Sequence, residues 1–375
     1  VILTMIQLGG LGFMTVITLV SFALHRRIGL SERLIMVSTL NLNDMDGVVR
    51  VVRHALIGTF AMETAGAVLM SVCLIPEFGF LKGTWHAVFH AVSSFCNAGF
   101  DLLGGRFGAF SSLAGYNDNP LMLGTTAALI VVGGLGFFVW EDIVDKRCWS
   151  RLSVYSKMVL LITAVLIVGG ALFFLMEEFD NPATLGDMPL WQKGLNALFQ
   201  SVTLRTAGFD SIGQGGLSDT SKAMSCVLML IGGSSGSTAG GLKTATVGVL
   251  LLALRSGLMG REQVTFRGRA IHYRRVLNAM TLALVVLFVF VFSSMVVSTV
   301  EDLPYLDSAF EVASAMGTVG LTTGITPTLT PFSQGLLILL MYMGRVGILS
   351  FSIAFITGNR HPAKIKYPEM NVMIG

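Results

Sequence analysis

Apolar residues run through this chain in long stretches that polar turns interrupt at intervals. Runs long enough to cross a hydrocarbon core, which takes about 20 residues, occupy 1–24, 54–75, 121–140, 157–176, 223–254, 276–300 and 335–357, and predict seven spans. Three shorter apolar runs lie between them, at 85–95, 190–202 and 306–315. Each ends in a small glycine motif: Asn97-Ala98-Gly99-Phe100-Asp101, Thr206-Ala207-Gly208-Phe209-Asp210 and Thr318-Val319-Gly320-Leu321. Irregular backbone at membrane depth is tolerated only inside protein or against a water-filled cavity. The short runs therefore read as re-entrant pore helices, and the order span, pore helix, glycine turn, span occurs three times after one unpartnered span.

A second glycine motif recurs inside the spans, as Gly9-Gly10-Leu11-Gly12, Gly133-Gly134-Leu135-Gly136, Gly232-Gly233-Ser234-Ser235 and Gly344-Arg345-Val346-Gly347. Gly208 and Gly232 are 24 residues apart, as are Gly320 and Gly344, while Gly99 and Gly133 are 34 apart because a polar insertion occupies 104–119. The same spacing places a further glycine turn ahead of Val1. The expected fold is an all-α integral membrane protein with a pseudo-fourfold repeat of helix, re-entrant pore loop and helix within one chain. Residues 1–53 hold the second helix of an incomplete first repeat and a cytoplasmic loop. Residues 54–156 form the second repeat, 157–275 the third with a Gly-rich intramembrane loop, and 276–375 the fourth with a cytoplasmic C-terminus.

Composition agrees with a membrane protein: 53% of residues are hydrophobic and 13% charged, and the mean hydropathy is +0.74. The 43 glycines and 20 methionines suit closely approaching helices packed with soft side chains. A net charge of +3 is too small and dispersed for nucleic acid. Cys73, Cys96, Cys148 and Cys226 lack CxxC spacing and read as small hydrophobes. The opening segment has no basic region or small-residue cleavage site of a signal peptide. The spans place 18 Lys and Arg residues on one side, including Arg261, Arg267, Arg269, Arg274 and Arg275, and 5 on the side of the glycine turns. Basic residues collect on the cytoplasmic side, so the C-terminus is expected to be cytoplasmic and the turns to open outward. The outer loops carry Asp101, Glu178, Asp210, Glu301 and Asp307, which either raise the local cation concentration or are solvated loop charges.

Gln7-Leu8-Gly9-Gly10-Leu11-Gly12-Phe13-Met14-Thr15, Phe95-Cys96-Asn97-Ala98-Gly99-Phe100-Asp101, Leu204-Arg205-Thr206-Ala207-Gly208-Phe209, the run from Gly232 to Thr244, and Gly344-Arg345-Val346-Gly347 together resemble the Trk/Ktr/HKT superfamily of potassium transporters. The resemblance covers essentially the whole chain, and the ending from Lys366 to Gly375 is more similar to the KtrB-type membrane subunit than to TrkH. It implies potassium uptake through a channel-like pore with a four-part glycine filter. It also implies a homodimer in the cell membrane beside a cytosolic, nucleotide-binding KtrA-type ring, with no covalent cofactor, with potassium as the ion handled and with sodium as a second candidate.

A ring of backbone oxygens can replace the water shell of a potassium ion, and glycine lets carbonyls turn inward where a side chain would clash. Gly99, Gly208 and Gly320 are the filter positions, and Asn97, Ala98, Thr206, Ala207, Thr318 and Val319 supply further carbonyls by family likeness. Gly232, Gly233, Ser234, Ser235, Gly236, Gly240 and Gly241 cannot hold a continuous helix, so this run lines the pore. The resemblance makes it a movable gate loop with Lys243 nearby, the alternative being a flexible helix interface. A phosphate-loop reading of Gly236 to Thr244 fails because Leu242 separates Gly241 from Lys243. Arg345 stands where the other units have glycine. The resemblance sets it just below the filter as a cationic barrier, the alternative being a salt bridge to an outer carboxylate.

His86 and His90 share one helix face but lack partners for a metal site and read as packing residues. Asn41-Leu42-Asn43-Asp44 and the basic loop 255–275 are topology signals or, by resemblance, docking surface for the ring. An alternating-access, ion-coupled transporter is the alternative function, since interrupted helices suit it too. An intramembrane hydrolase lacks a catalytic constellation in the spans.

Overall fold

A computed structural model describes residues 1–11, 48–108, 110–261 and 263–346. Gly12, Gly347, the Asn41 to Asp44 stretch and the C-terminal segment fall outside this set. Among the described residues, the α-helices of ten residues or more are, in chain order, α1 (Ile2–Leu11), α2 (Val48–Phe78), α3 (Phe80–Phe95), α4 (Pro120–Leu135), α5 (Phe137–Lys146), α6 (Val154–Glu177) and α7 (Leu190–Thr203). They continue with α8 (Asp219–Leu230), α9 (Thr244–Leu258), α10 (Tyr273–Glu301), α11 (Tyr305–Gly317) and α12 (Pro331–Val346). Two short antiparallel strands, β1 (Thr265–Phe266) and β2 (Arg269–Ala270), form a hairpin before α10.

Local chemistry sets the helix starts. Asn119 accepts the N–H groups of Leu121 and Met122 at 3.1 Å, just ahead of Pro120 at the first turn of α4. Ser153 and Ser218 accept the N–H of Ser156 and Ser221 to cap α6 and α8.

Among the described residues, three helical stretches are long and apolar enough to cross a membrane: Arg53–Phe78 of α2, Val154–Glu177 and Tyr273–Glu301. Between 22% and 33% of each apolar window is buried inside the protein. Side chains such as Val72, Val165, Leu284 and Phe288 face outward, an arrangement that requires an apolar surround. The short helices α3, α7 and α11 sit inside this frame. Residues 308–317 of α11 are all buried, and Phe95, Phe199 and Phe310 are fully enclosed. The protein is a multi-pass, all-α membrane protein.

Two expected spans are broken. The run 121–140 is not one helix: α4 and α5 meet at 94° at Gly136, whose φ is 83°. The hydropathy of that run is continuous, so nothing in it marks the bend. The bend is held by tertiary bonds, from Phe137 N–H to the Gly236 carbonyl at 3.0 Å and from the Trp140 indole to the Val132 carbonyl at 2.9 Å. The run 223–254 is interrupted between Leu230 and Thr244, where the glycine-serine content predicts a break.

Candidate ion pathway

Each buried short helix delivers a glycine turn of the same backbone shape. Asn97, Thr206 and Thr318 adopt φ of 52°, 68° and 53°, and Gly99, Gly208 and Gly320 adopt 73°, 87° and 97°. Positive φ two residues apart flanks Ala98, Ala207 and Val319, whose N–H groups donate back to Ser93, Thr203 and Ser314 at 2.8, 3.0 and 2.8 Å. The turn amides are thus spent on the helix ends, whereas among the described residues nothing donates to the carbonyls of 97–99, 206–208 or 318–320. A row of free carbonyls is what coordinates a dehydrated cation.

The turns lie side by side. A Cβ added at Gly99 would be 2.7 Å from the Ala207 carbonyl oxygen, and one at Gly208 would strike the Val319 carbonyl oxygen. Among the described residues, Gly320 has nothing within 4 Å in that direction. Above the turns, a hollow of about 300 Å³ is lined by Gly99, Gly208, Gly320, Asp101 and Asp210. Burial pushes the Asp101 carboxyl above its usual range although it accepts the Leu103 N–H. Beside the Gly320 and Asn97 turns, a cleft of about 1010 Å³ extends to α1 and Arg345.

The second glycine motif lies beneath. A Cβ at Gly133 would strike the Phe95 carbonyl and one at Gly344 the Met316 carbonyl, each four residues before a turn glycine. A Cβ at Gly10 would meet the Cys96 sulfur. The side chains at the first turn position rest on these glycines. Asn97 Nδ2 would be 3.6 Å from a Cβ at Gly134, the Thr206 methyl 3.3 Å from one at Gly232, and the Thr318 methyl 3.2 Å from one at Gly344.

The 231–243 loop crosses between these elements. Its stems pair through Gly232 N–H to the Leu242 carbonyl and Leu242 N–H to the Leu230 carbonyl, at 2.8 and 3.0 Å. Its middle reaches the α4 end: Ser234 N–H donates to Gly134 at 2.9 Å, the Ser234 hydroxyl to Leu135, and the Thr238 hydroxyl to Phe95 at 3.1 Å. Lys243 Nζ folds back onto the Ala239 carbonyl at 2.8 Å. Ser235 and Gly236 abut Gly136, Gly233 abuts Gly134, and Gly241 packs against Gly232. Arg345 donates to the Thr238 carbonyl and to the Gly9 carbonyl, and it makes no ion pair among the described residues. Both sets of sequence candidates are therefore contiguous, with the loop and Arg345 directly under the turns.

Other candidates resolve as packing. His90 is buried with Nε2 3.2 Å from the Thr126 hydroxyl and its ring 4.6 Å from that of Phe209, and His86 packs on Phe78. Several of the loop acids hold structure. Asp307 pairs with Lys222 at 2.8 Å, Glu301 accepts the Thr330 N–H and hydroxyl, and Glu178 is buried among donors.

Four polar residues of the core escape a reading of the sequence. Buried Arg205 donates to the Gly232 carbonyl at 3.1 Å, Glu63 accepts from Gln7 at 3.0 Å, Gln200 pairs with Gln214 at 2.6 Å, and Glu311 binds the segment after Gly320. A charged residue inside an apolar run is the available signal for Glu63 and Glu311.

The family described as cation transport protein, TrkH, matches residues 2–363. The chain belongs to the TrkH cation transport family. It is a transport family and not one of enzymes. The potassium/sodium uptake protein NtpJ of Enterococcus hirae is 43% identical over 380 residues, which covers 100% of this chain and 82% of that protein. The Ktr system potassium uptake protein B of Bacillus subtilis is 34% identical over 375 residues, with the same two coverages. The crystal structure of the potassium transporter TrkH from Vibrio parahaemolyticus shares the fold, with a TM-score of 0.67 at 19% identity, covering 86% of this chain and 68% of that one.

Proposed function

We propose that this chain is the membrane subunit of a potassium uptake system. Potassium passes through a channel-like pore whose filter is formed by the carbonyls of Asn97-Ala98-Gly99, Thr206-Ala207-Gly208, Thr318-Val319-Gly320 and a fourth equivalent turn. The observation that carries the reading is the set of three identically shaped turns with carbonyls free of donors, packed side by side. In this reading the fourth turn occupies the cleft between Gly320 and Asn97, completing four units with boundaries near 53, 156 and 275. Four turns of unlike sequence make a looser filter than four identical ones.

The 231–243 loop is the gate, and Arg345 adds a positive charge below the filter that slows cations in transit. Sodium is a second candidate ion, as the printed name of the Enterococcus relative suggests. The excess of basic residues on one side supports a cytoplasmic C-terminus and outward filter turns. The printed names that speak of a Ktr system support partner components, which we take to be a second copy of this chain and a cytosolic nucleotide-binding ring.

The test is uptake by a potassium-starved host strain carrying the full-length protein. Growth at low potassium is expected to return, and Gly320→Ser, strained at φ 97°, is expected to lose discrimination against sodium. Absence of uptake, or discrimination unchanged in Gly320→Ser, overturns the reading.

A further inference from the structure

The residue two places after each turn glycine has one job in all three turns. Asp101 Oδ1 accepts the Leu103 N–H at 2.8 Å, Asp210 Oδ1 accepts the Ile212 N–H at 3.1 Å, and Thr322 Oγ1 accepts the Gly324 N–H at 2.9 Å. Each is a side-chain oxygen closing a turn on the amide two residues ahead. The first two are carboxylates and the third is a neutral hydroxyl.

The missing charge comes from the pore helix. Glu311, 4% exposed, accepts the Thr322 hydroxyl at 2.6 Å and the Thr323 N–H at 2.9 Å through Oε1, and the Thr326 hydroxyl at 2.5 Å through Oε2. Thr322 thus relays Glu311 to the Gly324 amide. In the Gly208 turn, Asp210 spreads over the amides of Ile212, Gly213 and Gln214, and the Gln214 side chain reaches back to Gln200 on the pore helix. Hydrogen bonds to an ionised acceptor are the strong class. Each anchor begins two residues beyond a glycine carbonyl of the proposed filter, or in the fourth unit binds a segment that does.

We propose that Asp101, Asp210 and the Glu311–Thr322 pair are equivalent positioning residues, which hold the segment after each glycine so that the filter carbonyls keep their spacing. This rests on the filter reading above. None of these groups needs to touch the ion, because their effect passes through the backbone of the turn.

The experiment measures the potassium-to-sodium permeability ratio of the full-length protein in liposomes, normalised to incorporated protein. Thr322→Val is expected to lower the ratio on the order of tenfold, as loss of one charged hydrogen bond warrants, and Glu311→Leu, which removes the acceptor of the Thr322, Thr323 and Thr326 bonds, at least as much. Adding Thr322→Asp to Glu311→Leu returns the acid to the position it holds in the other two turns and is expected to recover most of the ratio. Glu178→Gln, which alters a buried carboxylate away from the turns, is the control for fold damage, expected to leave the ratio alone. Gly320→Ser separates the two readings. If it leaves the ratio intact, the filter assignment fails. If it lowers the ratio while Glu311→Leu and Thr322→Val do not, or if the double variant is no better than Glu311→Leu, the positioning role is overturned.

Discussion

The guanidinium of Arg345 lies 2.5 Å from the carbonyl oxygen of Thr238, joining the end of α12 to the loop that interrupts the 223–254 run. A second bond runs from the same side chain to the Gly9 carbonyl. Arg345→Ala removes both, each worth about 1.5–3 kcal/mol as hydrogen bonds to a charged group, and also removes the positive charge. Potassium flux per protein is expected to rise about tenfold in liposomes. Arg345→Lys keeps the charge but not the fork and should fall between the two. Equal flux in all three proteins rules out both a tether and a barrier.

Gly208 and Gly213 have similar backbones, with φ of 87° and 75°, but different surroundings. A Cβ at Gly208 meets the Val319 carbonyl, whereas one at Gly213, outside the proposed filter, meets nothing within 4 Å among the described residues. Both alanine variants carry left-handed strain of about 1–3 kcal/mol, and only Gly208→Ala adds the collision. Its thermal midpoint should therefore drop further than that of Gly213→Ala. The reverse order would show that the turns are not packed as described.

Glu178 gives a pH dependence outside the membrane spans. Burial alone would raise its carboxyl. The neighbouring Ser221 and the bonds from Thr184, the Ser218 N–H and Asn181 outweigh burial and hold it below its ordinary value of 4.5. With the folded value depressed, the stabilisation is fully present above about 4.5 and is lost as pH falls through the folded value below it. Thermal melts of wild type and Glu178→Gln should accordingly differ most at neutral pH and converge in acid. A gap that does not shrink in acid contradicts this.

Glu63, 5% exposed on α2, accepts both Gln7 bonds at 3.0 and 3.1 Å and the Cys96 thiol at 3.9 Å, so it fastens α1 to the residue just before Asn97. Glu63→Leu strands the Gln7 amide and should cost about 1–3 kcal/mol, while Glu63→Gln retains an acceptor and should cost less. Chemical or thermal unfolding in detergent measures the difference. Equal losses would mean that the bonds contribute little.

What can be read from the chain follows from the range of each interaction. Clustered glycines in apolar surroundings mark irregular backbone locally, so the turns at Gly99, Gly208 and Gly320 and the break at Gly232 are legible in the order of residues alone. The bend at Gly136 is not, because Gly133-Gly134-Leu135-Gly136 also fits a close-packed helix, and only the bonds to the distant loop decide. Glu311 acquires its meaning from Thr322, Thr323 and Thr326, and Arg345 from Thr238 and Gly9. Asp210 reads as a solvated charge because most of its partners are backbone amides, which no residue name reveals.

Gly240 has its own consequence. A Cβ there would collide with the Thr318 hydroxyl and come within 3.2 Å of the Gly317 carbonyl, so loop and turn share one surface with no intervening layer. Any displacement of the loop uncovers Thr318. With the turn as the proposed filter and the loop as the proposed gate, any tightening of the turn around an ion alters the seat of the loop. Such coupling is thermodynamically reciprocal: under that proposal, occupancy of the turn and aperture at the loop become two readings of a single equilibrium, and the concentration of the permeating ion itself becomes an input to how open the path is.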